Sequence, residues 1–443
     1  MPDPARLRAA ERLLRVEEDA AYVARLSASG DPEPENGGAR EGADAERRAV
    51  ALVAGVTRWR RWLDWSLARH LRRPLAELDA PLRQALRIGA FELLVEGKPA
   101  HAAVGEAVGV ARAMLHKGAA GLANAVLRKL ARQRPPEPQT GDLADDLAVR
   151  YSHPTWMVRR WLARWGEGDT RALLEANNRV PRFALRANPL TTTPEALTET
   201  LREAGPLASE HVPGMVTVER LGVALRTGAV ARGEAAVQDE AAALVVRVLD
   251  PQPGESILDG AAAPGGKAIA AAEAMGDTGR VVAVDVSAAK TQLVRRAARA
   301  HGATVVEPLA ADLADLGPGE GFDRVLLDAP CSGTGVLAKR ADLRWRRSPE
   351  ALGELAALQD RLLDAAARHV RPGGLLVYST CSLEREENED RVAAFLARHA
   401  GFAAEPVGAL VPPSFRTPAG HYQALPHVHG TDGAFAARLR RAS

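Results

Sequence analysis

The sequence predicts a multi-domain protein: an all-α N-terminal module over residues 1–135, a small mixed α/β segment over 143–237, and a doubly wound α/β domain over 238–443. Three observations carry this. Up to about residue 135 the apolar residues recur at helical spacing with no strand-type alternation. A Pro-rich run, RQRPPEPQTG at 132–141, then breaks the pattern as a linker does. From about Gln238 short apolar runs alternate with helical stretches, the signature of parallel βαβ units.

Composition narrows the class. A chain of 443 residues suggests two or three domains, and 46% hydrophobic with 26% charged residues is ordinary for a globular protein. No apolar run is long enough to span a membrane, and MPDPARLRAAERLLR lacks the apolar core of a secretory signal. Two cysteines exclude a disulfide framework and suit a reducing cytosol, so a cytoplasmic location is expected. The eleven histidines show no metal-ligand spacing, and no metal is expected. The net charge is only +2, but Arg47 to Arg132 holds sixteen Lys/Arg against six Asp/Glu. That local surplus points to an anionic partner, nucleic acid first, or to a solvated helical surface.

In the N-terminal module Leu7, Ala10, Leu13, Leu14 and Ala21 mark the first helix. The Gly-, Pro- and acid-rich stretch 30–45 reads as a disordered loop. Four further helical patterns follow, punctuated by Pro81, Pro99 and Gly118. Arg58, Trp59, Arg60, Arg61 and Trp62 interleave cations with aromatics, a texture suited to RNA. At i, i+3 spacing Trp59, Trp62 and Trp65 fit a core stripe better. Beyond the linker, RYSHPTWMVRRWLARWG is helical and basic, and FALRANPL, MVTVERL and GVALRT suggest a small α/β unit. Arg182, Arg186 and Asn188 are candidates for phosphate contact.

In the C-terminal domain strands are expected at SILD (Ser256–Asp259), RVVAVD to Asp285, TVVEPLAAD to Asp312, DRVLLD to Asp328 and LLVYST. Helices are expected at Ala288–His301 and Leu352–Val370. Asp259, Asp285, Asp312 and Asp328 thus stand at or just after strand carboxyl ends, where open α/β sheets bind ligands. The loop AAAPGGK (Ala261, Ala262, Ala263, Pro264, Gly265, Gly266, Lys267) opens a helix, and its small residues let backbone N–H groups approach a ligand. It is neither GxGxxG nor a P-loop. Asp285 suits a ribose diol. Lys267 near a helix N-terminus opposes the helix dipole, which suggests a function, a solvated lysine being the bland reading. Both cysteines follow apolar runs, Cys331 after Val325–Leu327 and Cys381 after Leu375–Tyr378, so two adjacent strands would deliver two thiols to one crevice. Glu384, Glu386 and Glu387 fit an acidic first helical turn.

ILDGAAAPGGK, DAPCSGTG and YSTCS together resemble the Sun/RsmB family of S-adenosyl-methionine-dependent ribosomal RNA cytosine-C5 methyltransferases. VTRWRRWLD, LRIGAFELL, PAHAAVGEAV and GAAGLANAVLRKL resemble the NusB-like RNA-binding domain that precedes catalysis in the RsmB branch; SHPTW, LRANPL, VQDE and HGTDGAF fit that branch too. The resemblance covers nearly the whole chain. It implies a NusB-like helical domain, a small α/β RNA-binding segment and a Rossmann-like class I methyltransferase domain. It further implies that Cys381 is the nucleophile that adds to cytosine C6, that Cys331 assists its release, and that Asp328 bonds the base near N3 and its amino group. Ala261–Lys267 would hold the methionine part of S-adenosyl-methionine, Asp285 its ribose and Asp312 its adenine, with Asp328 lining the same pocket. Small-subunit ribosomal RNA is the implied partner, its base extruded from the stack, and no obligate protein partner is evident. Ala261 stands where the family commonly has Cys, Ala341 where Pro is common, and Ala434 replaces an aromatic. Arg344 and Trp345 either meet the substrate or anchor their loop.

Three other readings are separable. A DNA cytosine methyltransferase would attack with the Pro-Cys cysteine and not need Cys381. A non-catalytic RNA-binding ribosome assembly factor would not need both thiols and all four rim aspartates. The same chemistry on transfer RNA or another ribosomal site differs only through the N-terminal domain, by analogy.

Overall fold

The computed structural model describes residues 3–18, 38–317, 319 and 321–443, and its packing divides them into two units. The first takes the chain to Asn178 together with Lys339–Arg346; the second takes Arg179–Ala338 and Arg347–Ser443.

The first unit is all-helical. Helices α1 (Pro4–Glu18), α2 (Gly38–Ala68), α3 (Ala80–Leu94), α4 (Ala100–Met114) and α5 (Lys117–Arg132) share one apolar core built on Leu13, Leu52, Leu63, Leu86, Ile88 and Leu127. The stretch 30–45 lies outside the described residues up to 37. From Gly38 it is helix rather than loop, consistent with the good helix formers Ala, Arg and Glu in GAREGADAE. Trp62 is buried and stacks on Trp65 at 5.3 Å between centroids, and Trp59 packs against the core. Buried Glu92 draws in Arg6, Arg48 and Lys98, so two of the sixteen cations between Arg47 and Arg132 are spent on this internal acid.

Helices α6 (Leu143–Arg150) and α7 (Thr155–Asn178) belong to this unit, although the linker at 132–141 suggested a boundary before them. The reason is Arg61: its backbone N–H bonds Ser152 Oγ at 2.9 Å, and its guanidinium reaches the His153 carbonyl, Thr155 and Asp145. The segment Lys339–Arg346 is sewn in as firmly. Arg344 is fully buried and donates to the carbonyls of Arg58, Ser152 and Asn177 and to Asn178 Oδ1. Trp345 Nε1 donates to the Thr57 carbonyl at 2.7 Å, and the Arg60 guanidinium lies 4.3 Å from its ring centroid. Of the two readings for this pair, the anchored loop is what the structure shows.

The second unit opens with a four-stranded antiparallel sheet in the order β2-β3-β1-β4, from β1 (Phe183–Ala187), β2 (Leu207–Ala208), β3 (Met215–Val218) and β4 (Ala235–Val237). Two candidate phosphate contacts turn inward here. Arg186 pairs with Glu273 and Gln238, its pKa pulled down to about 10 by burial, and Asn188 donates to the Gly233 and His301 carbonyls. Arg182 stays exposed, facing Glu219.

The large sheet follows α8 (Glu240–Leu249). Its parallel strands are β5 (Ser256–Asp259), β6 (Arg280–Asp285), β7 (Val306–Ala310), β8 (Phe322–Asp328) and β9 (Val370–Thr380). The order β9-β8-β5-β6-β7 places the switch point between β5 and β8. Three antiparallel strands, β10 (Phe402–Glu405), β11 (Tyr422–Ala424) and β12 (Ala434–Arg441), complete it; β12 lies between β9 and β10, with β11 paired to β12 alone.

Both faces of this sheet are covered. Ile257, Val281, Ala283, Leu326 and Val377 share a core with α8, α9 (Gly266–Ala274) and α10 (Ala288–His301). Their neighbours Leu258, Val282, Val325, Leu327 and Leu376 pack with α11 (Pro349–Arg368) and α12 (Glu389–Arg398) on the other. Two-sided burial is why these strands read as unbroken apolar runs.

Candidate active site

Strands β8 and β9 run side by side with Asp328 opposite Ser379, and each ends at a turn that carries a cysteine. Parallel register brings the two turns to one edge of the sheet. Cys331 Sγ and Cys381 Sγ lie 3.3 Å apart, both half-buried. The carboxyl ends of β8 and β9, beside the switch point, therefore hold both thiols together, the juxtaposition read from the two apolar runs.

The loops are stitched by backbone. Gly335 N–H donates to the Cys381 carbonyl at 2.9 Å, and Gly433 N–H donates to the Gly335 carbonyl at 2.8 Å. A Cβ on Gly335 would stand 2.6 Å from Gly433 O and 2.8 Å from Cys381 O, so only glycine permits this approach. Arg347 holds the Cys331 loop from the other side, donating to the carbonyls of Ser332 and Cys331.

Asp328, at the end of β8, accepts from Lys267 Nζ at 2.6 Å and from Ser379 Oγ at 2.8 Å. Lys267 is mostly buried, not solvated. Burial works to lower its pKa, but Asp328 outweighs that, helped by Cys381 and Asp259, and the ammonium sits above its ordinary value. Cys331 is pushed well up, first by its hydrogen bond with Cys381, then by burial, then by the charges of Cys381, Glu387 and Asp328, so at neutral pH it is a protonated thiol.

Beside the Lys267–Asp328 pair lies a cavity of about 220 Å³. Its wall includes Asp259, Lys267, Asp328, the loop residues Ala261–Pro264 and Gly266, and the stretch Val237–Asp239. Gly265, at φ 109°, provides the left-handed turn from which α9 starts. Asp259 is 1% exposed, and among the described residues no side chain bonds its carboxylate oxygens. Burial, then the charge of Asp328, pushes it up to about 7 against the pull of Lys267. A buried carboxylate of this kind suits a cationic ligand, and a zwitterionic amino acid with a sulfonium matches the wall. Asp285 and Asp312 stand farther along the rim. Asp285 is buried and accepts the Ser287 N–H, whereas Asp312 is exposed and accepts the Ala314 N–H as a helical cap.

Two features went unread in the sequence. Gln238 bridges Arg186 to the loop, its Nε2 donating to the Gly266 carbonyl at 3.2 Å. In the sequence VQDE stands out only as a motif, and its place just ahead of the helix that starts at Glu240 is the signal that marks it. Of the three glutamates read as an acidic first helical turn, Glu386 and Glu387 do lie in the first turn of the short helical segment Arg385–Glu387, and Glu384 precedes it; the sequence did not show that Glu384 and Glu387 turn inward. Both are buried, and the acidic first turn of α12 is Glu389 and Asp390. Ser382, Leu383 and Glu384 turn inward before that helix begins, while Arg385 stays exposed.

Comparison with known proteins agrees with this architecture. Residues 246–440 match the family described as 16S rRNA methyltransferase RsmB/F, residues 3–132 the NusB family, and residues 153–221 the RsmF/B-like ferredoxin-like domain. A probable ribosomal RNA small subunit methyltransferase B of Synechocystis is 36% identical over 89% of this chain and 91% of its own. Ribosomal RNA small subunit methyltransferase B of Pseudomonas syringae is 37% identical over 88% and 87%. The solved structure of the protein PH0851 superposes with a TM-score of 0.79 at 29% identity, covering 100% of this chain and 99% of that one.

Proposed function

This chain belongs to the RsmB/F family of ribosomal RNA small subunit methyltransferases, and from that premise we propose that it methylates C5 of a cytosine in 16S ribosomal RNA through a covalent cysteine adduct. The observation that carries the proposal is the 3.3 Å separation of two thiols beside the Lys267–Asp328 pair.

S-adenosyl-methionine, when bound, supplies a methyl group made electrophilic by its sulfonium. Ala261–Lys267 would hold its methionine part, Asp259 its ammonium, Asp285 its ribose and Asp312 its adenine side. Cytosine C5 is a poor nucleophile until something adds at C6. Cys381 Sγ makes that bond, and the electron pair of the C5–C6 double bond becomes available at C5. Asp328 accepts from the amino group of the base and orients it, and the Lys267 ammonium bonded to Asp328 offsets the negative charge that addition places on the ring. After methylation the C5 proton passes to solvent water, its bonding pair re-forms the C5–C6 double bond, and the C6–S bond breaks with its electron pair leaving on the Cys381 sulfur. Cys331, held as a thiol in contact with Cys381, is the group placed to assist that expulsion. Lys267 fixes Asp328 and has Cys381 in its electrostatic surroundings. The helical unit and the small antiparallel sheet would carry the RNA.

The test is an adduct assay. Cys381→Ala should abolish both methyl transfer to 16S ribosomal RNA and any denaturant-stable enzyme–RNA adduct, while Cys331→Ala should let the adduct accumulate. The reverse pattern would reject the assignment and favour attack by the Pro-Cys cysteine. Tight RNA binding with no methyl transfer by the wild type would favour an assembly factor. Bisulfite mapping of ribosomal RNA from cells with and without the gene locates the target base, and a change confined to transfer RNA would move the substrate there.

A further inference from the structure

Glu387 is fully buried between the two cysteine loops, 0% exposed, in the single turn that precedes α12. One carboxylate oxygen, Oε1, accepts the backbone N–H of Ser332 at 2.8 Å and Gln359 Nε2 at 3.1 Å. The other, Oε2, accepts the hydroxyls of both Ser332 and Ser382. Ser332 directly follows Cys331, and Ser382 directly follows Cys381. The same Gln359 also donates to the carbonyl of Pro330, the residue before Cys331, at 2.9 Å. Tyr378 fixes the turn itself, donating its hydroxyl to the Glu387 carbonyl at 2.6 Å.

One carboxylate thus fills its acceptor capacity, with three bonds to the two loops and one to Gln359 on α11. Burying a carboxylate with no cation among these partners is costly. A fold that needed only to fill this volume would use an apolar side chain. We infer that Glu387 is a positioning residue for the reaction: by spanning from Ser332 to Ser382 it sets the separation of Cys331 and Cys381, and thereby the rate at which the nucleophile is released. The inference rests on the two-cysteine mechanism proposed above. It assigns to reach, rather than to charge, the control of the thiol pair.

Length and charge can be separated. Glu387→Asp keeps the charge but is one methylene too short to span the loops. Glu387→Gln keeps the length, with its carbonyl oxygen for the two N–H donors and its amide N–H groups for the serine hydroxyl oxygens. Thiol proximity is read without RNA by oxidising the folded, cofactor-free protein with diamide. Two S–H bonds break and one S–S bond forms, while the N=N bond of diamide takes up two electrons and two protons as a hydrazine. Peptide mapping then measures the rate of Cys331–Cys381 bond formation.

Relative to wild type, Glu387→Asp should slow this oxidation by more than about fivefold and lower kcat for methyl transfer at least as much, with the cofactor KM within about twofold. Glu387→Gln should stay within about fivefold in oxidation rate. The inference is overturned if Glu387→Asp oxidises within that margin, if Glu387→Gln falls as far as Glu387→Asp, or if the cofactor KM rises in step with the loss of kcat. Should Glu387→Asp fail to fold, Ser382→Ala cuts one arm while leaving the carboxylate, and the same oxidation threshold decides. A wild-type protein that transfers no methyl group to RNA would sink the proposed function, while the oxidation rates would still judge the positioning claim.

Discussion

Replacing Asp259 by Asn should make the empty protein more stable and the cofactor bind worse, and the structure sets the size of the first effect. The carboxyl is 1% exposed and is raised from 3.8 to about 7, by burial first and by Asp328 second, with Lys267 opposing. In the unfolded chain it titrates near its ordinary value. Between those two values the folded state binds the extra proton, so stability falls as pH rises through the window, and the whole cost is present above about pH 7. At 1.36 kcal/mol per tenfold the cost near pH 8 is on the order of 4 kcal/mol, and near pH 5 it is roughly 2 kcal/mol. Asp259→Asn removes the ionisation. Urea unfolding of the cofactor-free proteins should therefore show a stability gain over wild type that is about 2–3 kcal/mol larger near pH 8 than near pH 5. A gain independent of pH would refute the reasoning, because packing or hydrogen bonding would then be the cause. Binding runs the other way. S-adenosyl-homocysteine, which carries the same ammonium, should bind Asp259→Asn about tenfold or more weakly near pH 8, and its wild-type affinity should rise with pH up to about 7. Calorimetric titration reads both.

Gly335→Ala forces a Cβ to within 2.6 Å of Gly433 O and 2.8 Å of Cys381 O, so the loops must part; methyl transfer should fall by about a hundredfold or more while S-adenosyl-homocysteine affinity stays within about twofold. Arg344→Met leaves the carbonyls of Arg58, Ser152 and Asn177 without their buried donor. The helical unit should lose about 3 kcal/mol in urea unfolding, with amide-exchange protection lost first across Lys339–Arg346. At neutral pH Cys331 should alkylate slowly with iodoacetamide, and Cys381→Ala should speed that reaction because it removes the hydrogen bond that leads the upward shift. Mass spectrometry of the Cys331 peptide decides.

The parallel part of the fold was legible because two-sided burial leaves a plain trace. Ser256–Asp259 and Ala288–His301 were placed to the residue, and β6 and β8 end where their aspartates said they would. What sequence spacing cannot carry is which segments pack together. Pro135 and Pro136 do lie between the NusB-family match at 3–132 and the ferredoxin-like match at 153–221, but spacing gave no sign that Arg61 packs α6 and α7 against the helices before the linker. Arg344 and Trp345 follow a catalytic-domain motif in sequence and are nonetheless anchored among helices that precede it by more than a hundred residues. Arg186 and Asn188 looked like phosphate contacts because polar residues near a strand end are ambiguous until their partners, Glu273 and the His301 carbonyl, are known.

The site shows the same division at finer scale. Cysteines and aspartates at strand ends were readable because their chemistry is rare and their position follows from local pattern. Glu387 was not, since three glutamates just ahead of a helix have an ordinary explanation in the helix dipole. Nothing within the local window distinguishes a glutamate whose partners are Ser332 and Gln359, 55 and 28 residues earlier in the chain. Yet the local pattern does hold one hint. The acidic turn of α12 is already supplied by Glu389 and Asp390, so Glu387 is surplus to that role. A buried acid that the helix does not need, lying next to the turn that carries Cys381, is explained by the two loops it joins. This makes the distance between the sulfurs a property of the turn before α12 as much as of the strands that deliver them.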